Sequence, residues 1–259
     1  MLHIYDCNNY IRRQYEVDKT GLVLRNLYYA ALGRPAGSNI YVFDGYNAKA
    51  ARRQVFPGYK VGRPKAPDEF YKTLNVAKKV LRCSPQFMAE IEGYEADDII
   101  ASIVRQAAGK VPITIFSNDG DFRTLCSGTV KMSDPMLTEV NAQEVRLYKT
   151  LVGDSSDKIP GFKGFGKTTW GELTEGQKSN WLMLLNEEQP KDLLGKLSHD
   201  ALGIKLTQMP WLVLNLKDLQ SYWLIVNFLD VPDELVDQHM QLGTRDSTKA
   251  NMYLTEVMQ

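Results

Sequence analysis

Short apolar runs rich in β-branched residues alternate with helical stretches through the first half of the chain, the pattern of a parallel sheet flanked by helices. Leu2 to Tyr5, Ile40 to Phe43, Ile113 to Phe116 and Thr129 to Met132 read as strands. Thr20 to Ala31, Glu69 to Arg82 and Ala96 to Ala107 read as helices. In the last of these, Ile99, Ile100, Ile103, Val104 and Ala107 recur at the spacing of one helical face. The alternation stops near residue 142. Beyond it Trp, Leu and Lys dominate, and a glycine-rich loop, Gly161 to Gly166, lies between helical segments with no internal repeat. This predicts a second, helical region running to residue 259, in which Asn180 to Trp211 has weak periodicity.

At 259 residues the chain can bury a core without disulfide or metal staples. A hydrophobic share of 44% beside 24% charged residues excludes a disordered or low-complexity chain. No apolar run approaches the ~18 residues of a membrane span. Met1 to Asp6 reaches an acid at once, with neither the basic lead nor the apolar segment of a signal peptide, so a cytoplasmic location is expected. Cys7, Cys83 and Cys126 are widely spaced and form no CxxC pair, which predicts three buried thiols rather than a disulfide or zinc site. His3, His199 and His239 are scattered and read as structural.

The net charge is zero, from 31 basic and 31 acidic residues, but the distribution is uneven. Tyr46 to Arg82 carries ten basic residues against Asp68 and Glu69, and Glu90, Glu92, Glu95, Asp97 and Asp98 follow without a cation. Basic residues for phosphates and acids for cations is the reading this asymmetry favours.

The first strand ends in Asp6, the second in Asp44, and the third runs into Asn118-Asp119-Gly120-Asp121. In an open α/β sheet, sites lie beyond the carboxyl ends of the strands, so these acids should converge. Glu95, Asp97 and Asp98 open the amphipathic helix, where its N-terminus tolerates negative charge. Such a set needs cations among its members, and hard oxygen ligands point to Mg²⁺ or Mn²⁺ rather than zinc. Gly161 to Thr168 matches the phosphate loop of nucleotide hydrolases, G-x-x-x-x-G-K-[ST], but that loop must follow a buried strand. Here the approach, Asp154 to Pro160, is polar and ends in proline. The better reading is two tight glycine turns joining two helices, with backbone amides and Lys163 or Lys167 facing a nucleic-acid phosphate.

The ordered set of strand-Asp6, Asp44-Gly45, Tyr59-Lys60-x-x-Arg63, Glu95-Ala96-Asp97-Asp98, Asn118-Asp119-Gly120-Asp121, Gly153-Asp154-x-x-Asp157 and Gly161-x-x-Gly164-x-Gly166 resembles the 5′-nuclease (flap endonuclease) family. The resemblance is closest to the small stand-alone phage 5′→3′ exonucleases and covers about residues 2 to 235, with Val226 to Leu235 similar to that family's closing segment. It implies a PIN-like α/β nuclease core over residues 1–141, with a basic arch segment at 58–85. A helical DNA-binding region over 142–259 would follow, with a helix-hairpin-helix loop at 153–169. It implies that Asp6, Asp44, Glu95, Asp97, Asp98, Asp119, Asp121, Asp154 and Asp157 form an acidic site for two Mg²⁺ or Mn²⁺ ions. Lys60 and Arg63 would contact the scissile phosphate, and Arg13 and Lys149 would lie near the substrate. From its place in the Tyr-Lys run, Tyr59 either stacks on an unpaired terminal base or packs as a structural tyrosine. Gly161, Lys163, Gly164, Gly166, Lys167 and Thr168 would abut the DNA backbone, with K⁺ bound by the loop carbonyls. The chain departs from the family in the short span between Lys60 and Glu95 and in placing Lys167-Thr168 one position before the usual lysine. The expected activity is metal-dependent cleavage of duplex DNA from 5′ ends, nicks or flaps, in viral replication, primer removal or genome degradation, by a monomer with no membrane partner. RNA:DNA hybrids are a compatible substrate. The alternative is a PIN-type or RNase H-like ribonuclease, which would keep the acids but not the glycine loop.

Overall fold

The computed structural model describes residues 1–17, 22–133 and 140–258. Along the chain its main elements are β1 (Leu2–Asp6), α1 (Cys7–Val17), α2 (Leu22–Leu32), β2 (Asn39–Phe43), α3 (Ala50–Val55), α4 (Asp68–Leu81), β3 (Phe87–Glu90), α5 (Ala96–Ala107), β4 (Ile113–Phe116) and β5 (Val130–Met132). There follow α6 (Val145–Val152), α7 (Lys167–Glu172), α8 (Glu175–Asn186), α9 (Pro190–Leu194), α10 (His199–Leu202), α11 (Met209–Val226), α12 (Asp233–His239), β6 (Met240–Leu242) and α13 (Ser247–Met258). They divide into two units: Met1–Lys49, Pro64–Thr138 and Leu229–Gln259 form the first, and Ala50–Arg63 with Glu139–Phe228 the second.

The first unit is built on a six-stranded sheet in the order β5-β4-β1-β2-β3-β6, parallel except for β6, which runs antiparallel to β3. Its central strands are buried on both faces, β2 along its whole length, which is why their sequences read as continuous apolar runs. Tyr5 stacks on Phe116 at 4.3 Å and on Tyr41 at 4.8 Å between ring centroids, fixing β1 between its neighbours. The register pairs Asp6 with Val42 and Tyr5 with Phe116, so the chain leaves β1, β2 and β4 at one edge of the sheet. Helix α5 occupies the predicted span and buries Ile99, Ile100, Ile103 and Val104, along with Ala101 and Ser102. Helix α2 begins at Leu22; Thr20 and Gly21, the start of the predicted helix, lie outside the described residues.

Three elements of this unit escaped the periodicity. Strand β3 is a four-residue run ending in Glu90, β6 is a partly exposed edge, and α1 is so polar that it buries only Cys7 and Ile11. The expected boundary at residue 141 is also not the one observed, because Leu229–Gln259 returns to the first unit. Leu229 N–H donates to the Asp98 carboxylate (2.6 Å), Ser102 Oγ to the Val231 carbonyl (3.0 Å) and Gln106 Nε2 to Asp233 (2.9 Å), lacing the closing segment to α5. The expected basic arch at 58–85 is divided as well. Ala50–Arg63 packs with the second unit, whereas α4 buries Phe70, Leu74, Ala77 and Val80 in the first.

The second unit is helical, as its composition predicts. Phe162 packs edge-on against Trp211 (4.8 Å) and beside Trp181 (5.8 Å), and the Trp181 indole donates to the Leu202 carbonyl at 2.8 Å. These aromatics organise the stretch from Asn180 to Trp211, whose weak periodicity reflects short helices packed on several sides. Arg52, nearly fully buried, donates from Nε to the Ile225 carbonyl at 3.1 Å and from Nη2 to that of Asn227 at 3.3 Å, which joins Ala50–Arg63 to α11. Cys7 and Cys83 are buried as expected, but Cys126 is exposed and free. Among the described residues no helix is long and apolar enough to cross a membrane.

Candidate metal centre and nucleic-acid surface

Asp6 ends β1 with its side chain turned into the protein, only 7% exposed. Its Oδ1 accepts from Asn9 N–H at 3.2 Å and its Oδ2 from Ser117 Oγ at 2.9 Å, so helix α1 and the end of β4 both grip it. Burial first, then the Asp44 charge and more weakly that of Asp119, push the Asp6 carboxyl up to about 7. Asp44 follows β2 and accepts from Asn8 Nδ2 and from Ala96 N–H, each at 2.8 Å, the latter being the first amide of α5. Asp119 caps a short 3₁₀ turn (Gly120–Leu125), accepting from Asp121 N–H at 3.0 Å. Glu95, buried, and Asp97, half-buried, open α5 beside the amide that Asp44 holds.

Gly45 makes the approach of these loops possible. A Cβ there would lie 1.7 Å from the Ile91 carbonyl oxygen, and the Gly45 and Gly93 amides bond across to Tyr94 and Tyr46 at 3.0 and 2.8 Å. Asn8, Asn9 and Ser117, none of them predicted from the sequence, hold these carboxylates in place. Their signal was the pair of asparagines directly after the strand-end Asp6, where an ordinary helix has little use for them.

Asp98 departs from expectation. It is fully buried, and its two oxygens accept from Leu229 N–H (2.6 Å) and Glu95 N–H (3.3 Å), which ties it to the closing segment and to the first turn of α5. Among the described residues no three carboxylate, histidine or cysteine side chains are drawn together as direct ligands of one ion. An all-oxygen set strained by its own negative charge fits Mg²⁺ or Mn²⁺, since Mg²⁺ keeps several waters and binds through one or two carboxylates. The histidines stand apart: His3 faces Asn39 at 3.3 Å, His199 Asp200 at 3.1 Å, and His239 the Leu235 carbonyl at 2.9 Å.

In the second unit, Asp154 and Asp157 lie in the turn after α6, closed by the Asp154–Ile159 bridge. Asp154 Oδ1 accepts from Ser156 N–H and Oγ at 2.8 and 2.6 Å, and Oδ2 lies 3.0 Å from Lys149 Nζ. Burial opposes ionisation there, but Lys149 and the Ser156 bonds outweigh it and hold the carboxyl below its ordinary range. Lys60 sits at positive φ (51°), donates its N–H to the Asp157 carbonyl at 3.0 Å, and places Nζ 3.7 Å from the Asp157 carboxylate. Arg63 is exposed, and Arg13, in the first unit, is half-buried on α1. Tyr59 is 2% exposed within the apolar core, with Lys60 Nζ 4.7 Å from its ring centroid. Stacking of Tyr59 on a base is therefore replaced by packing.

The glycine loop follows α6, a helix, so the strand that a nucleotide-hydrolase loop requires is replaced by the helix–loop–helix that the polar approach predicts. Phe162 and Phe165 are buried and anchor the loop, while Lys163, Gly164, Gly166, Lys167 and Thr168 are exposed. Gly161, at φ 74°, is buried where a Cβ would meet the Gly153 amide nitrogen at 2.6 Å, which lets the two turns cross.

Fold and strand-end acids together define a resolvase-like α/β domain with an acidic mouth. Residues 2–150 match the family described as 5′-3′ exonuclease, N-terminal resolvase-like domain, and the chain belongs to that family. It is 35% identical to a 5′-3′ exonuclease of Aquifex aeolicus over 143 residues, covering 50% of this chain and 49% of that protein. It is 30% identical to the thermostable DNA polymerase I of Thermus aquaticus over 173 residues, 62% of this chain and 21% of the polymerase. The chain thus spans about half or less of the length of these curated relatives. A structure of T5 5′-exonuclease with bound divalent metal ions (zinc) shares its fold at a TM-score of 0.55 and 20% identity, covering 100% of this chain and 99% of that one. A bacteriophage T5 flap endonuclease in a pseudo-enzyme-product complex with DNA and metal ions gives the same values.

Proposed function

We propose that this chain is a divalent-metal-dependent 5′→3′ exonuclease and structure-specific 5′-nuclease acting on double-stranded DNA at 5′ ends, nicks or flaps. The observation that carries the reading is the hydrogen-bonded gathering of acids at the ends of three adjacent strands, where Ser117 Oγ donates to Asp6 and accepts from the Asp119 amide while Asn8 and the first amide of α5 hold Asp44, within the domain that matches the family. Asp6, Asp44, Asp119 and Asp121, with Glu95 and Asp97, would hold a pair of Mg²⁺ or Mn²⁺ ions, which when bound activate a water and neutralise the leaving 3′ oxygen. Asn8, Asn9 and Ser117 orient the carboxylates. Lys60 and Arg63 would offset the charge that builds on the attacked phosphate, where no carboxylate can help. Lys163, Lys167 and the amides of Gly164 and Gly166 would hold backbone phosphates of the duplex and fix its position without reading sequence, with Arg13 and Lys149 as further cationic contacts. The loop carbonyls are the place for a monovalent cation such as K⁺.

The family's link to DNA polymerase I relatives supports a role in replication and primer removal, with RNA:DNA hybrids as a second substrate. The test is digestion of 5′-labelled blunt, nicked and flapped DNA duplexes, and of an RNA:DNA hybrid, with Mg²⁺ or EDTA. Short 5′ products from DNA that disappear in EDTA are expected. Cleavage confined to the RNA strand would favour a ribonuclease instead, and cleavage that persists in EDTA would remove the metal from the reading.

A further inference from the structure

The first unit holds a cavity of about 600 Å³ at the sheet edge opposite the carboxylates, where β3 begins and β6 ends. Lys79 and Arg82 from the end of α4, and Arg245 and Lys249 from the start of α13, all line it, together with Tyr253. Its walls are pinned by backbone bonds: Gly243 N–H to Gln86 O, Thr244 N–H to Arg82 O and Asp246 N–H to Cys83 O, at 2.9, 3.1 and 3.1 Å.

The acids nearby do not balance the cations. Asp246 accepts the Lys249 N–H at 2.9 Å and so caps α13, while Glu256 lies 3.7 Å from Lys79. Arg82, Arg245 and Lys249 have no ion-pair partner among the described residues. Arg245 and Lys249 also stand at a helix N-terminus, where the backbone dipole disfavours positive charge and favours an anion. Arg82, Arg245 and Lys249 are exposed around one cavity, two of them beside the N-terminus of α13, so an anion there would meet positive charge from all three. Two guanidiniums suit the oxygens of a phosphate, Tyr253, with Lys79 Nζ 5.3 Å from its ring centroid, stands beside them, and the volume suits a ligand of nucleotide size.

We infer that this cavity binds a phosphate ester, held by Arg82, Arg245 and Lys249, with its organic part against Tyr253. The site goes beyond the nuclease reading, being remote from the strand-end acids and using no metal. The phosphate can come from a free nucleotide or from a nucleic-acid strand, and calorimetric titration of the full chain in EDTA at low salt separates the two. The probes are inorganic phosphate, 5′-dAMP and a short single-stranded oligonucleotide without terminal phosphates. Binding of 5′-dAMP assigns the site to a free nucleotide, and binding of the oligonucleotide alone assigns it to a strand. In either case the Arg82→Gln/Arg245→Gln double variant should bind about tenfold more weakly or worse, at an unchanged thermal midpoint. No binding of any probe at millimolar concentration, or equal binding by the double variant, overturns the inference. Because binding is read in EDTA, neither result bears on cleavage, and a failed cleavage assay leaves this test standing.

Discussion

In the first unit Asp6 divides its oxygens between the Asn9 amide and the Ser117 hydroxyl, and Asp44 between the Asn8 side chain and the Ala96 amide, all of them neutral donors. In the second unit Asp154 and Asp157 face lysines, Lys149 at 3.0 Å and Lys60 at 3.7 Å. The consequences have opposite signs. Burial and like charge raise Asp6 to about 7, whereas Lys149 and Ser156 hold Asp154 below its ordinary range against the pull of burial. Neutral donors orient Asp6 without discharging it, and the like charges beside it raise its carboxyl. The acids of the second unit have their cations built in.

The largest expected effect tests the first unit's like charges directly. Asp119→Asn keeps an oxygen for the Asp121 amide and removes one negative charge from the group around Asp6. Cleavage should be abolished, while duplex binding survives or tightens because phosphate is repelled less. Near wild-type turnover at saturating Mg²⁺ would show that the first unit's acids have no metal to hold, and the contrast between the units would collapse.

Next in size is the backbone that assembles the acids. Gly45→Ala sets a methyl 1.7 Å from the Ile91 carbonyl, and the loop carrying Asp44 must move or the fold must yield. Destabilisation on the order of 3 kcal/mol is expected in a denaturant titration. Gly128→Ala meets nothing within 4 Å and serves as control. Equal effects at the two positions would mean that the close approach at Gly45 is not holding the mouth together.

The parts legible in the sequence are those governed by local pattern. Strands β1, β2 and β4 announced themselves because burial on both faces leaves an unbroken apolar run, and α5 because one stripe is apolar. The acids at the ends of β1, β2 and β4 followed from a rule of sheet topology. What was hidden depends on distant partners. Asp98 looked like its neighbour Asp97 until Leu229 arrived to bond it, and Tyr59 looked like a surface aromatic until the core of the second unit closed over it. The return of Leu229–Gln259 to the sheet left no mark in periodicity, because β6 contributes three residues at a half-exposed edge.

Lys60→Ala tests what the built-in cations are for. If Lys60 only neutralises Asp157, its loss should lower stability and leave the rate alone. If it also acts on the scissile phosphate, the single-turnover rate should fall by ~10²-fold or more, well beyond any change in duplex affinity. An effect confined to Kd with a reduced salt slope would make Lys60 a plain phosphate contact.

The smallest effect is the most specific to the contrast. Lys149 and Asp154 are each less than a quarter exposed, at 21% and 12%, so their attraction is only partly screened. A double-mutant cycle with Lys149→Met and Asp154→Asn should give a coupling of about 1 kcal/mol at pH 7. Asp154 is depressed in the folded chain relative to about 4 when unfolded, so its contribution to stability is complete above that value and fades as pH falls through the lower, folded one. Lys149→Met should therefore flatten the stability profile below about pH 4 and leave it parallel to wild type at neutral pH. A coupling indistinguishable from zero, or an acid limb unchanged by Lys149→Met, would mean that Ser156 alone holds Asp154, and that the second unit's acids are oriented by neutral donors just as the first unit's are.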